Sequence, residues 1–160
     1  MQYVKELRFC ERTSRVWDAH SPGVLQLPSG SLVRGRALRH SIPDGPRPDL
    51  GVYLQGRDPG DFDWDSRWVR WPDFWLPSDS KELAVILREV LRRSATERVE
   101  IACTGGVGRT GTALACLVAL DGVPGSAAVD YVRHNYARRA VETPWQKRFA
   151  KTFVKPGSLL

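Results

Sequence analysis

Fifteen residues, Arg98-Val-Glu-Ile-Ala-Cys103-Thr-Gly-Gly-Val-Gly-Arg109-Thr-Gly-Thr112, restrict the folds open to this chain more than any other stretch. Val99, Ile101 and Cys103 alternate with Arg98, Glu100 and Ala102, the period of a β-strand, and the apolar run Ala113 to Leu120 reads as a helix. The turn between them holds Gly105, Gly106 and Gly108. Glycines lack a Cβ, so successive backbone N–H groups can curl around one anion, and the helix that follows adds the positive end of its dipole. The pattern predicts a phosphate cradle made of Thr104, Gly105, Gly106, Val107, Gly108 and Arg109, with Cys103 at its base. The same field favours a thiolate over a thiol, so Cys103 is expected to be nucleophilic at neutral pH. Arg109 supplies a planar, two-pronged donor for phosphoryl oxygens.

Thirty residues before Cys103 lies Trp71-Pro72-Asp73, inside the aromatic stretch Trp68-Val-Arg-Trp-Pro-Asp-Phe-Trp-Leu-Pro77. The prolines read as a loop leaving a strand. An aspartate after proline is commonly a turn former. Beside Trp71, Phe74 and Trp75, however, Asp73 is expected in a partly dry setting that suits a general acid.

The cradle Cys103-Thr-Gly-Gly-Val-Gly-Arg109-Thr110 and Trp71-Pro72-Asp73 resemble the signature loop and the acid loop of the cysteine-dependent protein tyrosine phosphatases. The size resembles the compact dual-specificity branch, and the resemblance covers roughly residues 30–154. It implies that Cys103 attacks phosphorus to form a phosphocysteine and that Arg109 holds the equatorial oxygens. It also implies that Asp73 first protonates the leaving oxygen and then acts as base on the hydrolytic water. Thr110 would hydrogen-bond the sulfur and help it leave, although a threonine in a first helical turn also commonly satisfies local backbone groups.

Glu142-Thr-Pro-Trp-Gln146 is similar to the glutamine loop that places the attacking water in some of these enzymes. The same residues spell a helix start, with Thr143 as N-cap, Pro144 at the first helical position and Gln146 at the capping-box site. A capped start would also fix the glutamine in place. The chain departs from the family at Ala102, where a histidine usually precedes the nucleophile. Reduced or shifted activity is the expected consequence.

Coarse periodicity predicts strands at 32–38, 50–54 and 68–71 and a helix over 80–93 with the stripe Leu83, Ile86, Leu87, Val90 and Leu91. Asp79 and Glu82 mark that helix's start. The cradle strand and its helix, then helices near 126–136 and 144–153, complete an α/β order. Such an order suits a central mixed sheet flanked by helices on both faces.

At 160 residues and 42% apolar content the chain can bury a full core, and no shift in composition divides it, so residues 1–160 are expected to form one phosphatase domain. Lys5, Glu6, Arg8, Glu11, Arg12, Arg15 and Asp18 predict no signal peptide, and no apolar run is long enough to cross a bilayer, which makes the cytoplasm the expected compartment. Three cysteines without metal-like spacing fit a reducing location and predict neither a metal nor another cofactor. Cys116 reads as a core residue, and nothing in the sequence brings Cys10 to Cys103 as a disulfide.

The net charge of +6 favours acidic, phosphorylated partners and leaves nucleic acid open without favouring it, since no nucleic-acid motif is present. Arg133, Arg138, Arg139, Lys147 and Arg148 read as solvated helix residues, and His20, His40 and His134 as surface or packing residues. Trp64, Trp68, Trp71 and Trp75 read either as packing behind the acid loop or as a rim for an aromatic substrate group. The expected activity is hydrolysis of phosphotyrosine in proteins, with phosphoserine and phosphothreonine as further substrates. The absence of lysine between Cys103 and Arg109 weakens a phosphoinositide reading. Two rivals stand beside this: a catalytically weak phosphoprotein-binding module, kept alive by Ala102, and an RNA 5′-phosphate phosphatase, kept alive by the basic charge.

Overall fold

Residues 15–154, described by a computed structural model, are organised around the strand that carries Cys103. In chain order the elements are β1 (Val24–Gln26), β2 (Leu32–Ala37), β3 (Leu50–Gln55), β4 (Asp65–Arg70), α1 (Ser80–Ser94), β5 (Val99–Cys103), α2 (Gly108–Leu120), α3 (Gly125–Asn135) and α4 (Pro144–Thr152). The five strands lie in the order β1-β2-β5-β3-β4, so β5 is central. Only β1 runs antiparallel to its neighbour, which makes the sheet mixed.

Every residue of β5 is buried, so its alternation separates two faces of the sheet rather than core from solvent. On one face Val99, Ile101 and Cys103 join Val33, Leu50, Val52, Leu54 and Val69 in an apolar cluster that takes in side chains of all four helices. Each large aliphatic side chain fully buried there contributes about 1.5–3 kcal/mol relative to exposure. On the opposite face Glu100, wholly buried, accepts hydrogen bonds from Arg34, Arg36 and the Tyr53 hydroxyl. Phe62 stacks on Tyr53 with ring centroids 4.0 Å apart, Trp64 donates to the Tyr53 oxygen, and the Arg34 guanidinium lies over Trp17. The expectation of helices on both faces is therefore not met among the described residues, where the helices share the apolar face and aromatic rings cover the ionic one.

The predicted helix at 80–93 forms, with Asp79 as N-cap accepting from the N–H groups of Lys81 and Glu82. Helix α2 is buried from Gly108 to Ala119, which explains why it is apolar all round rather than striped. Gly111 permits that burial, since a Cβ there would come within 2.7 Å of the Ala140 Cβ. Two differences from the sequence expectations concern strands. β4 begins at Asp65 rather than Trp68, because its pairing with β3 runs unbroken from Leu50–Asp65 to Gln55–Arg70. β1 is three residues long, too short to carry a periodic signal. Cys10 and the other residues read before position 15 lie outside the described residues.

Candidate active site

The cradle hangs from the end of β5. The Cys103 and Thr104 carbonyls accept from Leu38 N (2.8 Å) and Arg39 N (3.2 Å), fastening the turn to the end of β2. Gly106 adopts φ 68°, and a Cβ there would lie 2.8 Å from Ala37 N, so backbone conformation and close approach both demand glycine. Helix α2 opens directly after Val107, which makes no side-chain capping bond, so the helix brings its dipole's positive end to the turn. The sequence-predicted strand, glycine turn and helix thus meet around the cysteine.

Cys103 is 2% exposed, and its sulfur accepts from Gly106 N–H (3.2 Å) and from the Thr110 hydroxyl (3.0 Å). Both donors converge on the one sulfur and fix its place at the base of the turn. Thr110 is buried with its hydroxyl on the sulfur, while the local helix bond anticipated for it is made instead by Thr112, which donates to the Gly108 carbonyl. The other buried cysteine differs in chemistry: Cys116 is surrounded by core, and burial pushes its thiol well up.

Arg109, 4% exposed, donates from Nη1 to the Trp71 carbonyl (3.0 Å), and its Nε stands 3.5 Å from Asp73 Oδ1 without a hydrogen-bond partner. A buried guanidinium N–H without a hydrogen-bond acceptor is costly in isolation and ready to donate to an anion's oxygen. The guanidinium bridges cradle and acid loop, bringing together residues far apart in sequence.

The acid loop is held by side chains donating to its carbonyls. Trp71 is fully buried, its ring edge-on to Phe149, and its indole donates to Trp75 O (2.7 Å). Gln146 Nε2 donates to the same oxygen (3.0 Å), and Trp145 Nε1 donates to Phe74 O (2.7 Å). The dry setting expected for Asp73 is not found: its side chain is 60% exposed, and Phe74 and Trp75 are exposed beside it. The reason is local. Phe74 takes φ 58°, which turns the chain outward, and Asp73 Oδ1 caps the turn by accepting from Phe74 N.

Both readings of Gln146 were open, and its geometry is that of the capping box: Thr143 Oγ1 accepts from Gln146 N, and Gln146 Oε1 accepts from the N–H groups of Thr143 and Glu142. The side chain is fully buried and both of its polar atoms are engaged, with the acid loop as its further partner. The tryptophans divide between the two roles considered. Trp71 packs, Trp64 covers the ionic face, Trp68 is part-exposed and donates to Gln55 O, and Trp75 forms an exposed pair with Trp145 at the loop.

Three neighbours of the site carried no sequence signal. Gln55 accepts from the Thr104 hydroxyl (3.1 Å), Trp145 latches the acid loop, and Tyr136 donates its hydroxyl to the Gly106 carbonyl. The period and turn rules that found the cradle are blind to such contacts, because each crosses between elements. In the basic C-terminal group, Arg133 is spent on the carbonyls of Ala140 and Val141, whereas Arg138, Arg139, Lys147 and Arg148 are exposed. The three histidines are exposed as well.

A family model described as the Swiss Army Knife protein, DSP-PTPase phosphatase domain (PTP-SAK), matches residues 72–152. Uncharacterized protein MJ0215 of Methanocaldococcus jannaschii is 40% identical over 62 residues, which is 39% of this chain and 38% of that protein. The chain thus spans well under half the length of that relative. Among solved structures, Tk-PTP in its active form superposes with a TM-score of 0.63 at 24% identity, over 82% of this chain and 96% of that one. Kinase associated phosphatase, with its catalytic-site cysteine changed to serine, superposes with a TM-score of 0.66 at 19% identity, over 84% and 95%. These two likenesses speak for the fold. Among the described residues no helix is long and apolar enough to cross a membrane.

Proposed function

We propose, from the premise that this chain belongs to the DSP-PTPase phosphatase domain family, that it hydrolyses phosphomonoesters of protein side chains through a phosphocysteine, with phosphotyrosine as the preferred substrate and phosphoserine or phosphothreonine as further ones. The observation that carries the reading is the convergence on one sulfur: Gly106 N–H and the Thr110 hydroxyl donate to Cys103, while Arg109 joins the cradle to Asp73. A module that only binds phosphoprotein has no use for a sulfur held by two donors or for a carboxyl group at the mouth of the cradle.

In the first step Cys103 Sγ forms a bond to phosphorus as the ester P–O bond breaks, and Asp73 passes its proton to the departing oxygen. Arg109 and the amides of residues 104–109 hold the phosphoryl oxygens throughout, so charge is stabilised where it develops. In the second step water attacks phosphorus, Asp73 takes its proton, and the S–P bond breaks. The Thr110 hydroxyl stabilises the departing thiolate. Gln146 serves this sequence by fixing the loop that carries Asp73, its polar atoms being occupied there.

Phosphate release from para-nitrophenyl phosphate by the parent chain, absent in Cys103→Ser, tests the nucleophile. Asp73→Ala should keep substrate bound while slowing release of a phenolic leaving group, and equal turnover by that variant would remove Asp73 as the acid. A panel of phosphotyrosyl peptide, phosphoseryl peptide and 5′-phosphorylated RNA then sets the substrate class, and preference for the RNA would overturn a protein substrate.

A further inference from the structure

An anion-binding loop works only if its peptide planes are turned the right way, and Ala102, fully buried beside the nucleophile, has no polar side chain with which to brace them. The brace comes from elsewhere in the fold. Tyr136 follows α3 as its C-cap, and its hydroxyl donates to the Gly106 carbonyl at 2.5 Å. Its ring reaches that position only because Gly35 of β2 lacks a side chain, since a Cβ on Gly35 would collide with the tyrosine's ring and oxygen. Burial and the neighbouring Cys103 charge both push the Tyr136 hydroxyl well up from its ordinary value, so it stays a donor across the working pH range.

The peptide joining Gly106 to Val107 is planar and trans, so its C=O and N–H point in opposite directions. With the carbonyl committed to Tyr136, the Val107 N–H is turned away from the tyrosine. Gly106 sits at φ 68°, a conformation in which adjacent peptides can turn their N–H groups to one side. On the neighbouring peptide the Gly106 N–H already points at the Cys103 sulfur.

We infer that Tyr136 is a positioning residue of the phosphate cradle: by holding the Gly106 carbonyl on the outside of the loop, its hydroxyl keeps the Val107 N–H facing the bound anion and the Gly106 N–H on the nucleophilic sulfur. It touches neither substrate nor reacting atoms. The inference rests on the cradle reading above and adds a residue that lies outside the signature loop, at the C-cap of a different helix.

The test compares Tyr136→Phe, which removes one oxygen and leaves the ring on Gly35, with Tyr131→Phe, which removes a hydroxyl donating to the remote Gln26 carbonyl. Binding of inorganic phosphate, the rate of Cys103 alkylation by iodoacetamide and the kcat on para-nitrophenyl phosphate are measured alongside Tm. In Tyr136→Phe phosphate affinity and alkylation rate should each fall by about tenfold, the effect of losing one hydrogen bond to a charged group, with Tyr131→Phe at parent values. Gly35→Ala, which displaces the tyrosine without altering it, should give the same signature. A Tyr136→Phe protein that loses only Tm and keeps parent anion affinity and alkylation rate overturns the inference. A second measurement needs no variant: in the parent chain the Val107 amide proton should move downfield as inorganic phosphate is added, and its failure to move while phosphate binds also overturns it. Should the parent bind no phosphate at all, the cradle reading falls, and this inference with it.

Discussion

Replacing Glu100 with glutamine removes one charge and almost no volume from the centre of the ionic face, and the cost can be worked from its partners. The carboxylate is wholly buried and accepts from Arg34 Nη2 (2.8 Å), Arg36 Nε (2.7 Å), Arg36 Nη2 (3.1 Å) and Tyr53 OH (2.9 Å). Burial by itself would raise its pKa, but the hydrogen bonds and charge of Arg36, followed by those of Arg34, outweigh burial and hold it below the usual glutamate value. In Glu100→Gln two buried guanidinium groups lose their counter-charge, and the amide NH2 must face other donors. Breaking a buried pair from one side costs about 3–5 kcal/mol. The folded-to-unfolded ratio should therefore drop by a factor of roughly 10²–10⁴. Urea unfolding at neutral pH, with the slope m unchanged and the midpoint lowered, reads that loss. The sign with pH follows from the lowered pKa. The carboxylate's contribution is complete above the unfolded glutamate value, about 4.3, and fades as pH falls through the lower folded value. Parent and variant should thus converge on acidification. A loss under about 1 kcal/mol at pH 7, or a gap that fails to narrow in acid, would refute the account of a charge-dependent hub.

Trp145→Phe keeps the aromatic contact with Trp75 but deletes the indole donor to Phe74 O, so the acid loop should spend less time over the cradle. Turnover of substrates with poor leaving groups should fall by about 3–10-fold, the equivalent of one neutral hydrogen bond, with KM little changed; steady-state kinetics over a leaving-group series checks this. Asp65, whose carboxyl is lowered to about 2 by hydrogen bonds from Arg67 and then Arg93, is in contrast largely exposed. Asp65→Asn should cost under about 1 kcal/mol near pH 7, with that small difference vanishing as pH falls toward 2, as measured by thermal unfolding.

The contrast between Glu100 and Asp65 also explains what the sequence could and could not reveal. The layout of the cradle is legible because a single unbroken stretch, Val99 to Thr112, carries strand period, glycine turn and helix start together. Local signals of the same kind located the capped starts at Asp79 and Thr143. Alternation in β5, however, marks two faces without saying what covers either. Glu100 and Arg34 look like solvent-facing residues until β2 and β3 are placed on the two sides of β5. The dry setting expected around Asp73 is absent for a related reason. Its aromatic neighbours in sequence suggested a dry pocket, but the left-handed turn at Phe74 sends Phe74 and Trp75 outward with it, so adjacency along the chain did not become adjacency around the carboxyl group.

The two faces of the sheet divide the work in a way that bears on how the site tolerates change. On the apolar face α2 is buried from Gly108 to Ala119, and the cradle runs straight into the first turn of that helix, so the backbone amides around Cys103 inherit the rigidity of the core. The ionic face lies behind the same strands: Arg36 precedes Ala37, against whose backbone Gly106 rests, and Gln55 at the end of β3 meets Thr104. A perturbation there reaches the cradle through β2 and β3 as well as along β5, which carries both Glu100 and Cys103. Only Trp71 of the acid loop packs in the core; beyond it the loop is tied by single hydrogen bonds from Trp71, Trp145, Gln146 and Arg109, of which the Arg109 bond alone is buried. Local opening free energy tracks the number and burial of such ties. The loop carrying Asp73 consequently has fewer buried ties than the helix that follows the cradle, which is buried from Gly108 to Ala119.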